Sequence, residues 1–505
     1  MTRYGFALDQ RKCIGCHACT VACKAEHGVE LGVFRTWVKY IETGEFPDNR
    51  RHFSVLRCNH CDDAPCVAVC PVKALYKRED GIVDFDGSRC IGCKACMNAC
   101  PYDALYIDPK SQTAAKCNFC AHKVDVGLKP ACETVCPAEA ITSGDLDDPD
   151  SEISRLISVV PAQVRAPEQG TGPNVFYLGA HEAALNPLMV GGDGAYITTE
   201  MPKAQQIKLT PLNKKATARA ISDIDHAPPW GWLVSSYFLS KGVAAGAMML
   251  SALLLVIGAD GSALADIVPG LVALAGIALT GIFLIADLKQ PKRFYFLFTR
   301  PQWRSWLAIG AQFINLAALT SLAFTVAAAT DSTGARDVLR WVMVPSGIML
   351  AAYTGFLFNQ LEGRDLWQSP LLVPHTVVNA LLAGSATLGI ASLAIDAPHD
   401  IGQALGWTLV LSVAASAITI ALDTFGGHPT AQAERAAHNM WRDIYAQRFW
   451  LGGILTGLVL PGALGTVYLA IGGGGWLAAA GLLGLVGLWC YEDAWVRAGQ
   501  SVPLS

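Results

Sequence analysis

The chain changes solvent halfway along. From about Trp232 onward, apolar residues run almost without a polar face, in stretches near 232 to 257, 266 to 286, 305 to 329, 339 to 361, 370 to 395, 403 to 422, 449 to 471 and 473 to 491. At 1.5 Å of rise per residue, about 20 residues cross the roughly 30 Å hydrocarbon core of a bilayer. A surface helix of a soluble core would keep a polar stripe, so the pattern predicts eight membrane-spanning helices. Small residues recur within them, as in GVAAGAMM and GGGGWLAAAGLLGLVG, and let helix backbones approach where no hydrophobic force draws helices together.

Composition alone hides this division. At 52% hydrophobic and 16% charged, the chain is an average of a polar first half and an apolar second half. With eight spans, the first half shares a side with the loops after the second, fourth and sixth helices and with the segment after the eighth. Those segments carry Lys289, Lys292, Arg293, Arg300, Arg304, Arg364, Arg435, Arg442, Arg448 and Arg497, while the opposite loops carry Arg336 and Arg340. Basic residues stay on the cytoplasmic side, so the first half is expected to face the cytoplasm from a multi-pass position in the cytoplasmic (inner) membrane. The start, MTRYGFALDQRKCIGC, offers neither an apolar nor a twin-arginine export signal, which agrees with that side.

Sixteen of the seventeen cysteines fall within the first 136 residues, as four quartets. These are Cys13, Cys16, Cys19, Cys23; Cys58, Cys61, Cys66, Cys70; Cys90, Cys93, Cys96, Cys100; and Cys117, Cys120, Cys132, Cys136. Three quartets end in Cys-Pro, and CIGCKACMNACP matches the CxxCxxCxxxCP run that holds cubane iron–sulfur clusters. Disulfides would have to nest among ligands two residues apart, and structural zinc favours paired CxxC units, often with His. In the cubane reading, three close thiolates face one cluster and the fourth reaches the neighbouring one, so motifs share clusters in pairs. The longer spacings in CNHCDDAPC and between Cys120 and Cys132 lengthen loops without changing which side chains meet. Thiolates are the ligand form, which makes folding of this region depend on metal. Cys490 stands apart in the last helix and is expected to be packing.

Residues 5 to 150 resemble the four-cluster electron-transfer subunits of molybdenum or tungsten bis-pterin oxidoreductases, such as dimethyl sulfoxide, polysulfide and nitrate reductases and membrane-bound formate dehydrogenases. The resemblance rests on the four motifs in order, on RTWVKYIETGEFPD and on GDLDDPDSEIS. It implies four [4Fe-4S] clusters. Their ligands would be Cys13, Cys16, Cys19 and Cys136; Cys23, Cys117, Cys120 and Cys132; Cys58, Cys61, Cys66 and Cys100; and Cys90, Cys93, Cys96 and Cys70. It also implies that the cluster on Cys58, Cys61, Cys66 and Cys100 lies nearest the membrane, and that GTGPNVFYLG packs on a catalytic partner. The polar, basic run MPKAQQIKLTPLNKKATARAIS reads as a linker along the cytoplasmic face.

The second half resembles the NrfD-like membrane subunits of polysulfide reductase and its relatives, on SYFLSKGVAAGA, DLKQPKRFYFLFTRPQWRSW and AYTGFLFNQLEGRDLWQSPLLVPH. That family is quinone-reactive, with menaquinone or ubiquinone as carrier, and binds no haem. A lone intramembrane His375 agrees, because bis-His ligation needs a second. An ionisable side chain at a helix centre costs about 2.5–3.5 kcal/mol, so its position is informative. Lys241 lies roughly 13 Å into the first span, whereas Asp287, Glu362, His375, Asp423 and Glu492 lie near helix ends, all on the cysteine-rich side. Candidate quinone contacts are Lys241, Asp287, Arg293, His226 and Tyr353, the tyrosine because the family places one on its fourth helix. Asp287 and Arg293 could instead pair as a loop salt bridge, Lys241 could snorkel, and Trp230 and Trp232 read as interfacial anchors.

The expected architecture is an α+β, ferredoxin-like double pseudo-repeat over residues 1–150, an extension and linker over 151–225, and an all-α eight-helix transmembrane bundle over 226–505. The resemblance implies an electron relay that holds no catalytic site of its own, sits in the lipid bilayer between a molybdopterin catalytic subunit and quinone, and has no use for nucleic acid. Two rivals remain open: a proton-translocating module, and a passive anchor whose clusters serve a soluble acceptor.

Overall fold

The computed structural model describes residues 2–191, 195–196, 218–257, 261–395 and 398–505. Among the described residues the head has two larger sheets and two two-stranded ones, Leu75–Lys77 with Val83–Phe85 and Tyr106–Ile107 with Ala114–Ala115. In one larger sheet, Tyr4–Asp9 lies between antiparallel Ile141–Asp145 and parallel Val175–Leu178, with Ala162–Gln163 at the edge. In the other, Thr36–Thr43 pairs with Arg50–Arg57 and with Ala218–Asp223. Head structure thus draws on residues beyond 150. In the segment GTGPNVFYLG, Val175, Tyr177 and Leu178 are fully buried beside the first strand, while Pro173 and Phe176 stay half-buried. The basic run contributes Ala218–Asp223 as a strand, and its residues 201–217 lie outside the described residues.

An internal repeat is visible in backbone conformation. In CIGCHAC and CIGCKAC the glycines, Gly15 and Gly92, both have φ near +70°, and His17 and Lys94, just before the helices Ala18–His27 and Ala95–Ala99, both adopt left-handed φ. These turns curl the chain around the cysteines. The Cys-Pro corners repeat as well, with the Ala74 N–H donating to Cys70 Sγ at 3.2 Å and the Ala140 N–H to Cys136 Sγ at 3.3 Å.

Among the described residues eight helices are long and apolar enough to span a membrane: α1 (Trp232–Val256), α2 (Val268–Asp287), α3 (Trp306–Ala329), α4 (Thr333–Asn359), α5 (Leu372–Ala391), α6 (His399–Phe425), α7 (Arg448–Ile471) and α8 (Gly474–Gly499). Helices α1–α4 pack on one another, as do α5–α8, and the two groups join through α1 against α5 and α8 and through α4 against α5. The first half of α7, Arg448–Val459, is wound as a π-helix. Helix α4 starts earlier than the apolar run, so Arg336 and Arg340 are not loop residues. They occupy its first turns, where both reach Asp266 and Arg340 is fully buried, because the carboxylate just before α2 lets charge enter the helix end. At the far end α8 continues to Gly499, carrying Glu492, Asp493 and Arg497 inside the helix.

Small residues set the helix spacing. A Cβ added at Gly246 on α1 would stand 1.9 Å from the Ala380 carbonyl oxygen of α5, and one at Gly384 would stand 2.4 Å from the Gly246 backbone. Cys490 packs against Gly452, as expected of a core thiol. Gly246→Leu is therefore expected to lower stability by on the order of 1–3 kcal/mol through overpacking. Thermal unfolding in detergent checks this, with Gly281→Leu, where an added Cβ meets nothing within 4 Å, as the variant that leaves the transition in place.

Candidate functional site

The cysteines gather in the head by motif pairs. Cys13, Cys16, Cys19 and Cys136 line one pocket of about 350 Å³. Cys58, Cys61, Cys66 and Cys100 line a second of about 300 Å³, and Cys70, Cys90, Cys93 and Cys96 a third of about 400 Å³. Cys23 lies within electrostatic reach of Cys117, Cys120 and Cys132. Among the described residues no three Cys, His, Asp or Glu side chains converge on a point as a single ion requires, whereas zinc holds sulfur at about 2.3 Å. Widely spaced thiols around a cavity fit a polynuclear cluster instead. Burial pushes the free thiols up, Cys19 to about 11 and Cys100 to about 12, so it is metal that must favour the thiolate.

Both the Cys70, Cys90, Cys93 and Cys96 quartet and the Cys58 quartet border the membrane half, and the former carries most of the hydrogen bonds across the junction. The turn that carries Cys90, Cys93 and Cys96 is clasped by the membrane half. Lys289 N–H donates to Gly92 O at 3.2 Å and Gln290 N–H to Ile91 O at 3.1 Å. Arg293 Nη1 donates to Gly87 O at 2.8 Å and Cys90 O at 3.0 Å, and Trp230 Nε1 to Cys93 O at 3.0 Å. Lys94 pairs with Asp287 at 2.8 Å. Gln302 and Ser305 hold the carbonyls of Val67 and Val69 beside Cys70. The CIGCKAC turn leaves carbonyls unused, and donors from the loop between α2 and α3 satisfy them. The Cys58 quartet meets the membrane half at Gly363, where an added Cβ would stand 2.8 Å from the Cys100 backbone.

These contacts correct several expectations. Arg293 does not pair with Asp287; each binds the head separately, the carboxylate through Lys94. His226 turns to the head, 3.7 Å from Asp103 and against the Trp37 ring. Trp230 is buried because its indole N–H has a partner inside the protein, and it is no lipid anchor, whereas Trp232 is 54% exposed, as an interfacial residue should be.

Beneath the junction an aromatic column descends. Trp230 contacts Phe358 at 5.3 Å, Phe358 contacts Phe238 at 5.1 Å, and Trp367 and Trp495 close around Phe358. Lys241 Nζ stands 5.2 Å from the Phe238 ring and 5.2 Å from the Tyr353 ring. It is 3% exposed and donates to Thr354 Oγ1 and to Ala351 O, so it stays inside rather than snorkelling. Tyr237 lies beside Tyr353, and Glu492 is buried within electrostatic reach of Lys241, with Oε2 unpartnered. Tyr237 stands in the SYFLSKGVAAGA run and Glu492 among the ionisable residues near helix ends, but only the packing of α1 with α4 and α8 brings them to Lys241. Glu362 is exposed just past α4. His375 belongs to a separate network, bonded to Thr419 at 2.8 Å and Asn379 at 3.0 Å, with Asn379 accepting from Ser416.

Residues 223–503 match the family model described as polysulphide reductase, NrfD, and residues 50–146 match that of a 4Fe-4S dicluster domain. The head is 45% identical over 192 residues to a subunit of the tetrathionate reductase of Salmonella typhimurium, covering 37% of this chain and 76% of that protein. It is 44% identical over 177 residues to the protein NrfC of Escherichia coli, 34% of this chain and 79% of that one. The arsenate respiratory reductase iron–sulfur subunit ArrB of Shewanella sp. is 38% identical over 227 residues, 35% and 96%. One polypeptide thus joins an iron–sulfur head and a multi-pass membrane domain. Iron chelation under reducing conditions is expected to abolish the visible iron–sulfur absorption and expose the head to protease, while far-ultraviolet circular dichroism keeps the helical signal of the membrane half; retention of a protease-resistant head without iron would contradict the metal dependence of its fold.

Proposed function

Because this polypeptide belongs to the NrfD polysulphide reductase family, we propose that it is the fused electron-transfer and membrane-anchor subunit of a molybdopterin oxidoreductase, connecting a separate catalytic subunit with membrane menaquinone or ubiquinone. In this reading each quartet holds a [4Fe-4S] cluster: Cys13, Cys16, Cys19 with Cys136; Cys23 with Cys117, Cys120 and Cys132; Cys58, Cys61, Cys66 with Cys100; and Cys70 with Cys90, Cys93 and Cys96. Bound clusters supply one-electron carriers whose potentials follow charge, hydrogen bonds to sulfur and solvent exposure. The head, including its strands beyond residue 150, faces the cytoplasm.

The observation that carries the proposal is the unbroken contact path from Cys93 through Trp230, Phe358 and Phe238 to Lys241 and Tyr353. A carrier headgroup taken up beside Tyr353 would stand at the membrane end of the cysteine series. Its reduction takes up two protons with two electrons, and buried Lys241, Glu492 and Tyr237 are the groups able to hold protons there. Asp287, tied to Lys94 and within reach of Tyr237, links that set to the head. The opposite end is the exposed one, with Cys16 at the surface and Ile14 and Val21 61% and 65% exposed beside it, which suits docking of a catalytic partner.

Tyr353→Phe and Lys241→Met are each expected to slow electron exchange between the reduced clusters and a soluble quinone analogue by about tenfold or more, a barrier change of about 1.4 kcal/mol, with iron content unchanged. Stopped-flow recovery of the oxidised-cluster absorption measures it. Unaltered rates in both variants would remove the carrier from this site.

A further inference from the structure

Among the described residues, two fully buried cations of the head have no carboxylate partner, and a third, Arg165 at 3% exposure, gives its guanidinium to the Leu504 carbonyl. Arg57 and Lys116 are both 0% exposed. The other buried lysines of the head are neutralised in the ordinary way, Lys39 by Asp223 at 3.0 Å and Lys94 by Asp287 at 2.8 Å. Among the described residues neither Arg57 nor Lys116 makes such a pair. Arg57 Nη1 donates to Cys132 Sγ at 3.1 Å, the guanidinium lies 4.5 Å from the Phe6 ring, and Nε and Nη2 are buried with no hydrogen-bond partner. Lys116 Nζ donates to the carbonyls of Val83 and Cys117. His60, packed near both, is an imidazole and supplies no negative charge; its Nδ1 accepts the Val83 N–H at 3.1 Å.

Their position explains what neutralises them. Arg57 is within electrostatic reach of Cys19, Cys117 and Cys132, and Lys116 of Cys66 and Cys117. Cys117 in turn reaches Cys58. The two charges therefore stand at the junction between the half built by the first and fourth motifs and the half built by the second and third. An unpaired buried cation is strongly disfavoured, and thiolate-bound clusters are the only anions the described surroundings can offer.

We propose that Arg57 and Lys116 form a cationic bridge between the two halves of the head, neutralised by the clusters of the Cys23 and Cys58 quartets, and that it raises the reduction potentials of those two inner clusters relative to the outer pair. The inference rests on the ligand sets proposed above. Its physical basis is direct: a fixed positive charge favours the more negative, reduced form, and hydrogen bonds to ligand sulfur act in the same direction. The unpartnered Arg57 Nε and Nη2 would then be donors available to a bound cluster.

Redox titration of the purified full chain in detergent, followed by electron paramagnetic resonance, tests it. Arg57→Gln and Lys116→Gln are each expected to shift the one-electron reduction equilibrium of the inner clusters at least tenfold toward oxidation, which corresponds to about 59 mV. Arg57→Lys is expected to recover most of the shift, and the outer clusters to stay in place. Unmoved potentials in iron-replete Gln variants would overturn the inference. Should Arg57→Gln lose iron, its retention in Arg57→Lys supports charge neutralisation, and loss in both variants assigns Arg57 to packing and overturns it. Iron well short of four clusters in the unsubstituted chain would instead refute the ligand sets.

Discussion

The rest of the structure depends on how the third cysteine motif is gripped. Its turn, Gly87 to Lys94, offers carbonyls that its own short helix cannot use, and the segment after α2 supplies the donors, two from the backbone at Lys289 and Gln290 and two from Arg293. Gly92 makes the approach possible, since a Cβ there would stand 2.5 Å from the Lys289 side chain. This clasp fixes which quartet carries most of the hydrogen bonds across the junction. It also converts two domains with different solvents into one continuous apolar core, running from the second and third motifs through Trp230 into the bundle.

That continuity governs the electrostatics of both halves. Where the two halves bury charge, most of it meets a built-in partner. Lys94 and Asp287 satisfy each other across the boundary, and on the far side Arg336 and Arg340 converge on Asp266. On α8, Asp493 is fully buried between Arg448 and Arg497 and accepts from Ser235. In the membrane half Lys241 differs: it is bonded to neutral oxygens among aromatic rings, with Glu492 in electrostatic reach, an arrangement that costs stability.

Much was legible in the sequence because two signals were unusually strong. Eight apolar runs are best satisfied by helices in lipid, and each falls on one of the helices, though α4, α6 and α8 run several residues past the apolar stretch into charged positions and α5 stops short at Ala391. Cysteine spacing likewise identified iron–sulfur chemistry, since no other ligand set uses that rhythm. Roles assigned to single polar residues fared less well. Arg293, His226 and Trp230 sit close in sequence to the membrane boundary, but proximity along the chain does not tell which way a side chain turns, and all three serve the head.

What the sequence determined by itself follows from local chemistry: how many helices cross, which residues are thiols in clustered turns, and which stretch is polar. Tertiary structure decided the remainder. Which quartet carries most of the hydrogen bonds across the junction, which buried cations lack carboxylates, and that Glu492 and Tyr237 share a site with Lys241 all depend on residues brought together from distant helices and loops. Hydrophobic period and ligand spacing act within one segment, whereas hydrogen-bond and charge satisfaction at a junction exists only once both sides are in place.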